Sequence, residues 1–137
     1  MSDFVVSNVS HVAAPIREHL LQSYSILIVD DDEDILEIAA EILQTLGYNI
    51  LTARSGLEAA TLLRRNPQVT ILFTDMEMPG MGGEELAETA VALRSNIRVI
   101  FTSGRSRPRS DALFLQKPYR MAELVRLFPP QSVSWGF

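Results

Sequence analysis

Five short apolar runs, each closed by a polar or charged residue, alternate along the chain with stretches of helical periodicity. Residues 26–29 run into Asp30 and Asp31, residues 69–74 into Asp75, and residues 113–116 into Lys117; residues 49–53 and 98–102 make the other two. Runs of this length bounded by charged or turn residues read as strands, and the most apolar ones as strands of a buried parallel sheet. In an open α/β sheet, ligands collect at the carboxyl ends of strands near the switch in strand order. Three carboxylates and an ammonium, each at such an end, therefore predict one shared site.

The intervening segments carry the helices. Ile35, Ile38, Ala39, Ile42 and Leu46 recur at helical spacing, Asp34 with Glu37 reads as a capping pair, and Gly47 is the expected stop. Ser55 and Glu58 form a second capping box ahead of Leu57, Ala60, Leu62 and Leu63. A Pro- and Gly-rich loop over residues 78–83 leads into a helix through Leu86, Ala90 and Leu93, and residues 121–128 make a final short helix. Strands alternating with helices imply a parallel sheet with right-handed crossovers and helices on both faces.

One interval breaks the pattern. Thirteen residues separate Ser103 from Lys117, and the fifth strand takes about four of them, leaving residues 104–112, which include Pro108. A parallel crossover with its helix usually needs at least about 10–12 residues. Nine extended residues reach roughly 30 Å, enough to join the strands. The expectation is a loop or a single turn.

Composition narrows the function. With 137 residues and 47% of them hydrophobic, the chain suits one compact domain. A formal net charge of −5 argues against a nucleic-acid surface, and the one local basic cluster, Arg105, Arg107 and Arg109, reads as a solvated loop. There is no cysteine, which excludes disulfides, thiolate zinc sites and cysteine nucleophiles. No run approaches the ~20 apolar residues of a membrane span, and the start lacks the pattern of a secretory signal, so a cytoplasmic protein is expected.

The segments Ile-Val-Asp30-Asp31, Thr-Asp75-Met-Glu-Met-Pro79-Gly80, Phe-Thr-Ser103-Gly and Gln-Lys117-Pro118-Tyr resemble the receiver domain of bacterial two-component response regulators. The resemblance covers residues 25–128, leaving an N-terminal extension over 1–24 and a tail over 129–137. It implies a flavodoxin-like, doubly wound, five-stranded parallel sheet of order 2-1-3-4-5, here with the fourth crossover helix largely absent. It further implies that Asp75 is the phosphoacceptor, with Asp31 a direct Mg²⁺ ligand and Asp30 holding the metal through water. The backbone carbonyl of Glu77 completes the metal shell, while Ser103 and Lys117 contact the phosphoryl oxygens. The implied partners are a sensor histidine kinase or a histidine phosphotransfer protein upstream and an unidentified protein downstream. In this family the only chemistry is self-phosphorylation and self-dephosphorylation, so no enzyme acting on other substrates is expected.

Elementary physics agrees with those roles. Two like charges 4 Å apart repel by roughly 4 kcal/mol at an effective dielectric of 20, so three clustered carboxylates need a cation. An all-oxygen donor set favours Mg²⁺ over zinc or copper. Phosphoryl transfer asks mainly for positioning and charge neutralisation, which Mg²⁺ and Lys117 supply. The Ser103 hydroxyl can donate to a phosphoryl oxygen only once that group is present. Phe114, three residues before Lys117, stands where the family often carries a switching aromatic, and it also reads as an ordinary core residue.

Other readings compete. Asp30, Asp32, Asp34 and Glu41 fall on ligand positions of a calcium loop, but Ile35 stands where the sharp turn wants glycine. A phosphatase of the haloacid dehalogenase type would need a second Asp two residues after Asp75, where Glu77 stands. The main alternative is a receiver-like interaction module that works without phosphorylation. In the extension, Pro15 suits a first helical position and Ile16 with Leu20 makes a narrow apolar stripe. Such a segment is expected to cover the gap left by the missing helix, or to pair with a second subunit as a homodimer. His11 and His19 lie there too and read as solvated.

Overall fold

The computed structural model describes residues 25–105, 107–109 and 111–130. The expected N-terminal helix, its stripe of Ile16 and Leu20, and the tail over 131–137 lie outside these residues.

The chain alternates β1 (Ser25–Val29), α1 (Glu33–Thr45), β2 (Asn49–Ala53), α2 (Gly56–Arg65), β3 (Val69–Asp75), α3 (Gly83–Leu93), β4 (Arg98–Ser103), β5 (Leu113–Gln116) and α4 (Met121–Leu127). The five strands form one parallel sheet in the order β2-β1-β3-β4-β5. The expected sheet and its order are both present. Among the described residues no helix joins β4 to β5, as the length of that interval required.

Alternation along the strands sorts the interior into two cores. Ile26, Ile28, Ile71, Phe73, Ile100 and Leu115 face one way and pack against Leu36, Ala39 and Leu43 of α1 and Leu124 of α4, with Phe128 just beyond it. Leu27, Val29 and Leu72 face the other way and, joined by Val69 at the register shift that opens β3, pack against Ala59, Ala60 and Leu63 of α2 and Leu86 and Ala90 of α3. Each fully buried Leu, Ile or Phe stabilises by about 1.5–3 kcal/mol, so these two layers supply most of the driving force. Phe128 meets Phe73 and Tyr48 at ring centroids of 5.4 and 5.9 Å, and the Tyr48 hydroxyl donates to Pro129 O at 2.7 Å. The chain beyond α4 is thereby fastened to the turn between α1 and β2.

Several helical details differ from the sequence reading. α1 buries Leu36, Ala39 and Leu43, while Ile38 is exposed. α2 leaves Leu57 in solvent, and Leu93 at the end of α3 is also exposed. The cap of α1 is Asp32, whose carboxylate accepts from the N–H groups of Asp34 and Ile35 at 3.0 and 3.3 Å. Ser55 caps α2 as expected, accepting from Glu58 N–H, but the Glu58 carboxylate accepts from Arg54 N–H, one residue ahead of the cap.

Candidate functional site

The period of two that builds the core also builds the pocket. Asp30 continues the face of Ile26 and Ile28, Asp75 that of Ile71 and Phe73, and Lys117 that of Leu115. All three side chains thus emerge at the carboxyl end of the sheet on the side of α1 and α4. Lys117 Nζ lies 2.8 Å from Asp30 Oδ2 and 3.3 Å from Asp75 Oδ2, and both aspartates are buried. Asp31 is exposed at the rim, yet one carboxylate oxygen from each of Asp30, Asp31 and Asp75 falls within 4.8 Å of the others.

The remaining lone pairs are held by backbone. Asp30 Oδ1 accepts from Asp32 N–H at 2.9 Å, and Asp75 Oδ1 accepts from Glu77 N–H at 3.3 Å. The loop after Asp75 turns through Gly80, at φ 77°, and returns to place Gly83 N–H 3.0 Å from Met76 O. A Cβ on Gly83 would stand 2.3 Å from Asp75 O, so glycine is what lets α3 start against the end of β3. On the opposite side, the Lys117–Pro118 bond is cis, and Tyr119 beyond it tilts its ring against Phe73 at 6.0 Å.

Burial pushes the Asp75 carboxyl above its ordinary pKa; Lys117 pulls the other way, and neighbouring Asp30 adds to the rise. Burial works against the Lys117 charge as well, but the hydrogen bond and charge of Asp30, joined by Asp75, outweigh it and leave the ammonium above its ordinary value. Tyr119 is raised by burial and then by the two aspartates, so its phenol stays protonated. The pocket thus holds a basic carboxylate beside a firmly charged ammonium.

This donor set fits Mg²⁺. It offers oxygen ligands only, from three carboxylates close enough to share one ion, and Lys117 already lies against the two buried ones as a positive charge would. The calcium-loop reading fails, because Asp34 and Glu41 lie inside α1 and Asp32 is spent on its cap.

Ser103, fully buried, ends β4 with its hydroxyl on the Glu77 carboxylate, at 2.6 and 2.7 Å from the two oxygens. That contact is not legible in the sequence, which points the Glu77 carbonyl at the metal and its side chain at the water that would attack the phosphoryl group. Tyr119 also went unassigned; only the two aspartates in its surroundings single it out. Phe114 is half-buried, with the Arg107 guanidinium 5.1 Å above its ring.

A doubly wound parallel sheet with an acidic pocket and a lysine at its carboxyl end carries its charges where open α/β sheets gather their ligands. A family model described as "Response regulator receiver domain" matches residues 26–128, and the chain belongs to that family. The response regulator receiver protein CpdR of Brucella abortus (strain 2308) is 31% identical over 109 residues, covering 73% of this chain and 89% of CpdR. The uncharacterized transcriptional regulatory protein YrkP of Bacillus subtilis (strain 168) is 32% identical over 110 residues, 74% of this chain but 46% of YrkP, so the match spans about half of that relative. Among solved structures, the CheX-CheY-BeF3-Mg²⁺ complex from Borrelia burgdorferi is similar at 27% identity with a TM-score of 0.69, covering 75% of this chain and 84% of that one.

Proposed function

We propose that this receiver domain takes a phosphoryl group from a phosphohistidine onto Asp75, in the presence of Mg²⁺, and passes the change on by protein contact. The observation that carries the reading is Lys117 Nζ held between two buried carboxylates, with Asp31 in reach of both. Asp75, the more basic for its burial, attacks phosphorus through a carboxylate oxygen. The P–N bond of the donor breaks as the new P–O bond forms, its electron pair returns to the ring nitrogen, and the histidine, already protonated on its other nitrogen, leaves as neutral imidazole. Lys117 then neutralises a phosphoryl oxygen while Asp30 keeps it in place. Mg²⁺, held by Asp30, Asp31, Asp75 and the Glu77 carbonyl, would screen the carboxylates from the incoming anion.

The donor is a sensor histidine kinase or a histidine phosphotransfer protein, which sets the domain in the cytoplasm, and the domain acts on no substrate but its own Asp75. Among the described residues no helix is long and apolar enough to cross a membrane. The test is intact-protein mass spectrometry after incubation with Mg²⁺ and either acetyl phosphate or phosphoramidate. A single phosphoryl adduct that requires Mg²⁺ and is lost in Asp75→Asn is expected. No adduct from either donor would favour an interaction module that works without phosphorylation.

A further inference from the structure

The Ser103 hydroxyl, expected on a phosphoryl oxygen, is already engaged. It donates to the Glu77 carboxylate and its oxygen accepts from Arg105 N–H at 3.0 Å. A serine hydroxyl has one proton and serves one acceptor at a time. Ser103 is fully buried, so that proton needs an acceptor, and a carboxylate is a strong one. Glu77 is itself tied to the phosphoacceptor, since its N–H donates to Asp75 Oδ1. The competing acceptor and Asp75 therefore sit on one turn, two residues apart.

We infer that Glu77 is a positioning residue that acts through Ser103, holding its hydroxyl on the carboxylate and competing with the phosphoryl group for the same proton. The inference rests on Asp75 as phosphoacceptor. The resting domain is latched: Ser103 reaches a phosphoryl oxygen only by leaving Glu77. When its oxygen moves, Arg105 N–H loses its acceptor too, so release of the latch also frees the start of the connection to β5. This differs from an action of Glu77 on the attacking water, which would not depend on Ser103 at all.

The two accounts separate in a double-mutant cycle. Initial rates of modification by acetyl phosphate with Mg²⁺ are read by intact mass for the wild type, Glu77→Ala, Ser103→Ala and the double variant. Glu77→Ala should speed modification about tenfold, the scale of one charge-assisted hydrogen bond, and have little effect once Ser103 is alanine. Glu77→Gln, which keeps the shape and a neutral acceptor, should fall between, and Ser103→Thr should restore the sensitivity to Glu77. An equal effect of Glu77→Ala with and without Ser103 overturns the latch, leaving only relief of charge repulsion. An unchanged initial rate in both backgrounds overturns it too, leaving only an action on the water that later hydrolyses the adduct. If the wild type takes no phosphoryl group from any donor, the phosphoacceptor reading has failed and the latch is judged on the unmodified protein by NMR. There Glu77→Ala should shift the Arg105 amide resonance and hasten exchange of the Ser103 hydroxyl proton; an unmoved Arg105 amide refutes it.

Discussion

The acidic pocket and the connection that follows β4 lie side by side and are held in different ways. Asp30, Asp75 and Lys117 each have at least two polar partners, and the two aspartates are buried. In the connection, Arg105 N–H donates to Ser103, Arg109 N–H donates to Glu84 at 3.1 Å, and Arg107 lies over Phe114, all three arginines being on its exposed stretch rather than in the sheet. Beneath them, where a crossover helix would pack, a groove of 850 Å³ opens between α3 and β4, floored by Val91, Val99 and Phe101. Phosphoryl chemistry needs charges fixed in advance, which takes redundant contacts. A connection only has to span two strand ends, and here it does so with nine residues.

Substitutions can push on that difference. The largest effect belongs to Lys117→Ala, which leaves two buried carboxylates facing each other. It should lower phosphoryl acceptance at least about 100-fold, while destabilising the domain by about 2–3 kcal/mol, discounted because Lys117 is partly exposed. Added Mg²⁺ should recover part of that stability; denaturant titrations with and without Mg²⁺ read it. Gly83→Ala comes next, at about 1–3 kcal/mol, since its new Cβ meets backbone rather than a movable side chain.

pH sharpens the contrast. The folded Lys117 pKa lies above its ordinary value of 10.5, so the stability it contributes is complete below pH 10.5 and lost as pH rises through the folded value. That alkaline step should be missing from the thermal profile of Lys117→Ala. Asp75 runs the other way: its raised pKa makes its charge a cost at neutral pH that is relieved on acidification. Asp75→Asn should therefore melt above the wild type at pH 7, with the gap closing in acid. The smallest effect is expected in the connection, where Arg107→Ala should change stability by no more than about 0.5–1 kcal/mol, as for an exposed cation–π contact.

The pocket was legible in the sequence because its residues are anchored to strand ends, and strands announce themselves by short apolar runs. Asp30, Asp75 and Lys117 follow such runs and meet as the sheet order requires. Helix faces were less legible. Apolar residues crowd α1 from Ile35 to Leu46, and more than one stripe has helical spacing; the one that turns inward is chosen by how α1 lies on the sheet, so Leu36 and Leu43 are buried and Ile38 is not. The cap was similarly ambiguous among five consecutive acidic residues, Asp30 to Asp34, and falls to Asp32, which directly precedes the first helical residue Glu33 and reaches the N–H groups of Asp34 and Ile35. The Ser103–Glu77 contact joins residues 26 apart across two loops, which no local pattern encodes.

The brevity of the last connection also bears on how the chain finds its fold. Twenty-two residues separate β3 from β4, and nine separate β4 from β5. Treated as flexible loops, the shorter closes with about 0.8 kcal/mol less entropic loss. Lys117 is thus delivered to the aspartates on the shortest tether in the sheet. Its ammonium can reach them as soon as β4 is in place, and offsets their repulsion while the pocket is still forming.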